Sequence, residues 1–181
     1  MTIKTATDVL DFWFSEEMEP QWFAKSDETD LTIRDRFAAT YEAAHRRDLD
    51  NWATTPEGAL ALVIVLDQFP RNIFRGSGRA FESNDIALEH ARAALDAGFD
   101  GQIDAKRRQF FYLPFMHSED LPDQTRSVEL YEALGDAGSL DYAIQHRDII
   151  EKFGRFPHRN AALDRPNTPD EAEFLKTHRG F

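Results

Sequence analysis

The stretch LVIVLDQFPRNIFRGSGRAF, residues 62–81, is where the sequence says most about the fold. An apolar run ends in Asp67-Gln68, a proline follows, and Arg and Asn side chains come directly after it. The segment IIEKFGRFPHRN near the end of the chain repeats this order, from an apolar run through an aromatic-proline pair to Arg159-Asn160. We therefore expect any functional site to lie at these two segments.

The residues before this stretch predict a buried helix. Thr55 is a capping residue, and Pro56 occupies the first helical position, where its missing N–H is not needed. The following GALALVIVL is apolar on every face, which is typical of a central helix. Val63-Ile64-Val65 would also suit a strand, but the cap and the continuous pattern favour one helix from Pro56 to Phe69. We expect Pro70 to end it, and residues 71–81 to form an ordered loop.

The rest of the chain predicts further helices. The expected starts are a Thr7-Asp8 cap, a five-turn helix from Leu31, a Ser83 cap, Asp104, Pro122, Leu140 and a Thr168 cap. Gly98, the Gly135–Gly138 region and Gly154 are expected stops, and Pro114 is expected to kink or end its helix. The sequence therefore predicts an all-α fold of about eight helices joined by short loops, with antiparallel neighbours in helix-on-helix layers.

Composition narrows the class of protein. The 181 residues make one domain or two intimately packed halves, and 41% hydrophobic content with 15 Phe indicates a packed globule. The absence of cysteine excludes disulfides and thiolate zinc sites, and we expect no metal and no cofactor. A net charge of −12 argues against nucleic acid and anionic membranes as partners. Because no signal peptide or membrane span is recognisable, we expect a cytoplasmic protein.

Three polar groups are the candidates for chemistry. The first is Asp67, Gln68, Arg71, Asn72 and Arg75; the second is His117, Ser118, Glu119 and Asp120; the third is Arg155, His158, Arg159 and Asn160, preceded by His146 and Asp148. Each group has a purely structural interpretation, because an Arg beyond a helix end can bond the free terminal carbonyls and Ser or Asp can cap the next helix. Arg is also the side chain best suited to hold a carboxylate or phosphate, and His can transfer protons.

The motifs LDQFPRNIFRGSGRAF, FYLPFMHSEDLPDQTRSVELY and HRDIIEKFGRFPHRN, with VLDFWF near the start, resemble the bacterial family catalogued as domain of unknown function 924. The resemblance covers nearly the whole chain and implies a tetratricopeptide-like α-helical fold. The positions that match the family motifs are Asp67, Gln68, Arg71, Asn72, Arg75 and Gly76, then His117, Ser118 and Glu119, then His146, Arg147, Asp148, Arg155, His158, Arg159 and Asn160. The final THRGF departs from the family's usual Gly-Ser-Ser-Phe-like close.

Three functions are compatible with these residues. The first is a binding module whose Arg, Asn and His side chains line a pocket for a small anionic ligand or a peptide carboxylate. The second is a hydrolase with His117 or His158 as general base and Glu119 as its orienting partner. The third is a structural or interaction domain without a small-molecule site. Within the binding hypothesis, we expect Arg71 and Arg159 to meet and clamp an anion, since both follow an aromatic-proline pair and precede an asparagine.

Overall fold

A computed structural model describes residues 2–178 and Gly180, and these residues fold into α-helices and short 3₁₀ segments without any β-strand. The α-helices are α1 (Ala6–Trp13), α2 (Asp27–His45), α3 (Pro56–Asp67), α4 (Phe69–Ile73), α5 (Asn84–Asp96), α6 (Ala105–Met116), α7 (Leu121–Leu134), α8 (Ala137–Phe153) and α9 (Pro169–Phe174). The all-α prediction is confirmed. The likeness to tetratricopeptide proteins stays a prediction.

The chain divides into two compact units, and the division falls inside α6. Unit 1 comprises Met1–Arg75 and Arg79–Pro114, and unit 2 comprises Gly76–Gly78 and Phe115–Phe181. Helices α1 to α5 belong to unit 1, and helices α7 to α9 belong to unit 2. The sequence allowed one domain or two packed halves, and that choice stays a prediction.

Helix α3 forms the centre of unit 1. Every residue from Gly58 to Asp67 is buried, and α1, α2, α4 and α5 all pack against this helix. The helix starts as predicted, because the Thr55 side chain accepts a hydrogen bond from the Gly58 N–H and Pro56 follows the cap. Thr55 thus satisfies one of the backbone donors that a helix start leaves open, and the apolar sequence after it fills the core.

The expected end of this helix was wrong by two residues, and the expected loop after it is partly helical. Helix α3 ends at Asp67, and Gln68 keeps helical backbone angles of φ −87° and ψ −49°. Helix α4 then begins at Phe69, with Pro70 in its first turn, where the missing N–H has no helical acceptor. Pro70 thus starts a short helix, and residues 78–81 add a 3₁₀ turn.

Several other helix starts lie upstream of the predicted ones. Thr5, and not Thr7-Asp8, caps α1 through a capping box with Asp8. Ser26 caps α2, five residues before Leu31, and Asp136 caps α8, ahead of Leu140. In each case a Ser, Thr or Asp side chain accepts a hydrogen bond from a backbone N–H of the first turn. For α2 and α8 this cap outweighs the apolar spacing that suggested a later start. Pro114 lies inside α6, which continues to Met116.

Unit 2 is organised around the packing of α7 against α8. Both helices end at a glycine in the left-handed conformation, Gly135 with φ +81° and Gly154 with φ +69°, as expected for helix stops. Beyond Gly154 the chain turns so that Phe156 is fully buried against α8 side chains. Phe174 of α9 packs against the same core, with its ring centroid 5.0 Å from that of Phe153.

Among the described residues, no helix is both long enough and apolar enough to cross a membrane.

Candidate functional site

The first predicted group lies in unit 1, where Arg71 is held by several partners. Its Nη2 lies 3.3 Å from the Asp67 carboxylate, and its Nη1 donates to the Asp67 carbonyl at 2.9 Å and to Asn84 Oδ1 at 3.1 Å. Gln68 Nε2 also donates to the Asp67 carboxylate, at 2.5 Å. These bonds tie the end of α3 to the start of α5, as the structural interpretation of Arg71 expects.

Asn72 and Arg75 converge on Asp30, a residue of α2 that the sequence did not single out. Asn72 Nδ2 donates to Asp30 Oδ1 at 2.8 Å, and Arg75 donates to both carboxylate oxygens at 2.5 and 2.8 Å. Burial alone would raise the pKa of Asp30, but the bonds from Arg75 and Asn72 outweigh it and lower the pKa below its usual value. The five residues of the first group therefore belong to two ion-pair networks within unit 1.

The second predicted group forms the turn between α6 and α7 in unit 2. Gln124, fully buried in α7, donates through Nε2 to the carbonyls of Met116 and Ser118, both at 2.7 Å, and so holds the backbone on either side of His117. Ser118 Oγ donates to Asp123 Oδ2 at 2.8 Å. The first turn of α7 thus holds the backbone around His117 through these hydrogen bonds.

Glu119 connects this turn to the third predicted group. Its carboxylate accepts from Arg165 at 2.7 and 3.0 Å and from the Phe156 N–H at 2.8 Å. Burial alone would raise the pKa of Glu119, but the hydrogen bonds from Arg165 and Phe156 lower it. Glu119 is therefore ionised at neutral pH and holds Arg165 on one side and the start of the FPHRN segment on the other.

A second carboxylate, Glu171 of α9, accepts hydrogen bonds from Arg155, just before this segment, and from Asn160 Nδ2, at 3.4 Å, at its other end. Arg155 donates to both of its oxygens at 2.6 and 2.8 Å, and these bonds, with that from the Thr168 N–H, lower the pKa of Glu171 to about 2. Asn160 is almost fully buried and donates to Asn167 Oδ1 at 2.8 Å. The segment 155–160 is thus held at both of its ends.

His146 is a buried imidazole of α8, only 5% exposed. Its Nδ1 lies 2.7 Å from the Tyr142 carbonyl oxygen, one helical turn earlier. Burial, followed by the neighbouring His117, Arg159 and His158, lowers its pKa to about 3. The side chain is therefore neutral at pH 7.

His158 is similar. Burial is the largest cause that lowers its pKa to about 3, and the charge of Arg159 adds to it. The Gly180 backbone lies against its ring, because a Cβ built on Gly180 would be 3.3 Å from His158 Cγ. The tail that departs from the family pattern therefore reaches His158 at Gly180, whereas Arg179 and Phe181 lie outside the described residues.

The Phe156 ring brings these side chains together. The ring centroids of His146 and His158 each lie 5.5 Å from that of Phe156, and the Arg159 guanidinium carbon lies 4.4 Å from it. The His117 ring lies 6.4 Å from the His146 ring. We call these five residues, His117, His146, Phe156, His158 and Arg159, the Phe156 cluster.

The structure thus places the predicted residues in two sets. Asp67, Gln68, Arg71, Asn72 and Arg75 lie in unit 1, while His117, Ser118, Glu119, His146, Arg155, His158, Arg159 and Asn160 lie in unit 2. The second and third groups of the sequence form one arrangement around Phe156. The expected meeting of Arg71 with Arg159 joins residues of different units and stays a prediction.

Sequence reasoning missed four residues of these networks: Asp30, Phe156, Arg165 and Glu171. Glu171 carried a usable signal, because Thr168-Pro169-Asp170-Glu171 has the capping-box pattern and the box is present. Phe156 lies inside the FPHRN motif, whose predicted site residues are all polar. Nothing local in the sequence pairs Asp30 with Arg75 or Glu119 with Arg165, since 45 and 46 residues separate them.

No group of three or more His, Cys, Asp or Glu side chains in the described part of the chain is placed to hold a metal ion.

Comparison with known proteins agrees with the sequence motifs. A family model described as "Bacterial protein of unknown function (DUF924)" matches residues 9–179. The chain is also similar to the solved structure of a protein of unknown function from Agrobacterium tumefaciens, with 42% sequence identity, a TM-score of 0.91, and coverage of 96% of this chain and 97% of that one. No curated protein matches. The match over residues 9–179 shows that the chain belongs to the DUF924 family of bacterial proteins.

Proposed function

We propose that the protein is a cytoplasmic α-helical binding module that holds a small anionic ligand, or the carboxylate of a peptide, at the Phe156 cluster. The observation that carries the proposal is the placement of Arg159. Arg159 is only 5% exposed, stacks on Phe156, and its charge acts on His146 and His158, which are neutral at pH 7.

A buried guanidinium favours an anion for an electrostatic reason. Coulomb interactions are stronger in a partly buried site than in water, and the planar fork of Arg matches the oxygens of a carboxylate or phosphate. The positive charge of Arg159 contributes to the lowered pKa of His146, of His158 and of Glu119. The same charge would attract a ligand of opposite sign to a protein whose net charge is −12.

The surroundings of the cluster support binding because they are rigid. Glu119 with Arg165, and Glu171 with Arg155, form bidentate ion pairs on either side of the segment that carries His158 and Arg159. A site whose side chains are already fixed loses less conformational entropy when it binds a ligand.

The hydrolase hypothesis has less support. A general base works best when its pKa lies near the working pH, and the pKa of His158 is about 3. Glu119, the expected orienting partner, accepts its bonds from Arg165 and the Phe156 N–H. The hydrolase therefore stays an alternative that rests on His117 alone, and the domain without a ligand is the other alternative.

Thermal unfolding in a screen of phosphates, carboxylates and short peptides tests the proposal. A ligand that binds only the folded state raises the melting temperature, and it should do so for the wild type and for Arg126→Ala, an exposed arginine of the same unit. It should not do so for Arg159→Ala. Arg159→Lys keeps the charge without the fork and should respond weakly.

Two results would reject anion binding at this cluster. One is a folded wild type whose melting temperature no anion raises. The other is an equal rise for the wild type and for a folded Arg159→Ala or Arg159→Lys protein.

A further inference from the structure

We infer that an exposed row of aromatic side chains in unit 1, formed by Phe14, Trp22 and Phe23, is a docking surface for a basic, arginine-bearing segment of a partner protein. We call these three residues the aromatic surface. They belong to unit 1, whereas the Phe156 cluster belongs to unit 2. The inference therefore goes beyond the proposed anion binding and does not depend on it.

The three rings form a continuous row. The Trp22 ring centroid lies 5.5 Å from that of Phe14 and 6.4 Å from that of Phe23. Phe23 is 69% exposed, while Phe14 and Trp22 are half-buried. A single exposed apolar side chain is common on folded proteins, but adjoining exposed rings are typical of an interaction surface.

The protein holds Phe23 in its exposed position. The neighbouring Trp22 donates through Nε1 to the Trp13 carbonyl at 2.7 Å, and its ring centroid lies 4.8 Å from that of Phe110. On the other side, Ser26 caps α2. Because the chain is anchored before and after Phe23, this ring loses little conformational entropy when a partner packs on it.

Two of the three rings already contact a cation. Lys106 Nζ lies 5.9 Å from the centre of the Trp22 ring, and Arg107 Cζ lies 4.9 Å from the centre of the Phe14 ring. The negative face of an aromatic ring attracts cations, and the planar guanidinium of arginine also stacks on it. Among the described residues no cation lies over Phe23, so its exposed face is open to a cation from a partner.

The charges near Phe23 in the sequence favour a basic partner. Residues 16–28 contain five acidic side chains, and Lys25 is the one basic side chain among them. Four of these acids are exposed and form no ion pair within the described part of the chain: Glu16, Glu17, Asp27 and Glu28. Exposed carboxylates beside an uncovered ring are complementary to arginine, which supplies both a positive charge and a planar face.

The same charges argue against other occupants. Nucleic acids and anionic membranes are negatively charged, and residues 16–28 would repel them. A second copy of the chain, which also has a net charge of −12, would be repelled as well. A basic protein segment is therefore the occupant that the aromatic surface fits.

Fluorescence anisotropy of a labelled peptide of alternating arginine and glycine, titrated with the protein at low ionic strength, tests the inference. The peptide has an amidated C-terminus, so it offers no carboxylate to the Phe156 cluster. We expect saturable binding that weakens as salt is added, because exposed charges are screened.

Two variants separate the contributions of the ring and of the carboxylates. Phe23→Leu keeps an exposed apolar side chain but removes the aromatic face, and it should bind about fivefold less tightly. Glu16→Gln combined with Glu17→Gln should bind about threefold less tightly. All three side chains are exposed, so both variants should melt like the wild type.

The matched control is Glu132→Gln combined with Asp141→Asn, which removes the same charge from exposed positions of unit 2. This variant should bind the peptide like the wild type. An equal loss in the control and in the Glu16-Glu17 variant would show attraction by net charge alone and overturn the inference.

Three further results would overturn it. The first is a wild type that shows no saturable binding of the peptide, and the second is a Phe23→Leu protein that binds as tightly as the wild type. The third is a wild type that dimerises in sedimentation velocity experiments while Phe23→Leu stays monomeric, because the occupant would then be a second copy of the chain.

Discussion

Glu119 and Arg165 form a bidentate ion pair, with Oε2 accepting from Nη1 at 2.7 Å and Oε1 from Nη2 at 3.0 Å. Oε1 also accepts from the Phe156 N–H, and Arg165 Nη2 donates to the Phe156 carbonyl at 3.2 Å. The pair therefore holds both backbone groups of the residue around which the histidines and Arg159 are arranged. It is the main polar support of the proposed site.

Removing this pair should destabilise the protein. Glu119→Gln removes a charge that holds three hydrogen bonds, and because both side chains are less than a third exposed we expect a loss of about 2 kcal/mol in the free energy of unfolding. Urea unfolding measures the loss. Asp48→Asn, which weakens the exposed ion pair with Arg46, is the control and should cost less than about 0.5 kcal/mol. Equal effects of the two substitutions would contradict a supporting role for Glu119.

Arg71 should behave as a structural residue of unit 1. Arg71→Ala removes the ion pair with Asp67, which is 1% exposed, together with bonds to the Asp67 carbonyl and Asn84. Breaking a buried pair costs about 3–5 kcal/mol, so we expect a loss of roughly 3 kcal/mol by urea unfolding. A variant as stable as the wild type that no longer responds to anions would instead support the predicted clamp between Arg71 and Arg159.

The histidines of the cluster predict how stability depends on pH. The folded-state pKa of His146 and of His158 is about 3, below the value of about 6.5 for an unfolded chain, so the unfolded state binds more protons between these values. The contribution of these two neutral histidines to stability should be fully present well above pH 6.5. It should be lost progressively as the pH falls below that value. At pH 5.5 each histidine should have lowered the free energy of unfolding by about 1.4 kcal/mol.

Urea unfolding at pH 7.5, 6.5 and 5.5 measures this slope. Glu171, whose pKa is held at about 2 by Arg155, contributes in the same direction but only below about pH 4.5, so this range isolates the histidines. His146→Asn and His158→Asn should each flatten the slope by about half. Stability that rises as the pH falls from 7.5 to 5.5 would contradict the assignment of neutral histidines.

Gly58 should tolerate no side chain. A Cβ on this residue would lie 2.2 Å from the Trp52 carbonyl oxygen, although alanine is normally preferred to glycine in a helix. We expect Gly58→Ala to lower the free energy of unfolding by about 2 kcal/mol or more. Gly101→Ala has nothing within 4 Å of its Cβ and should be within about 0.5 kcal/mol of the wild type. Equal stability of the two variants would show that the chain before α3 moves without cost.

The sequence predicted those features that depend on neighbouring residues. Thr55-Pro56 marked the start of α3, Gly154 the end of α8, and Thr168 the start of α9, because each acts on the backbone within one helical turn. Pro70 was misread because a proline ends a helix or begins one according to the conformation of the residue before it. Here Phe69, the residue before Pro70, is the first residue of α4, so Pro70 lies in the first turn of a new helix.

The candidate site was predictable only in part. The polar residues of the HSED and FPHRN motifs stood out as clusters, but Phe156, which His146, His158 and Arg159 all contact, is apolar and gave no chemical signal. Arg165 pairs with Glu119 across 46 positions of sequence, and spacing rules reach only a few residues. Whether an arginine stabilises the fold or is placed to bind a ligand depends on such partners, which are distant in sequence.

The most direct test of the central claim, anion binding at the Phe156 cluster, is the response of the six histidine side chains to phosphate in NMR spectra. His45 and His90 lie in unit 1 and serve as internal controls, while His117, His146 and His158 belong to the cluster. We predict saturable shifts of the three cluster histidines, unchanged His45 and His90 signals, and no response in Arg159→Lys. Unmoved cluster signals at saturating phosphate, or equal shifts of all the histidines, would contradict the proposed site.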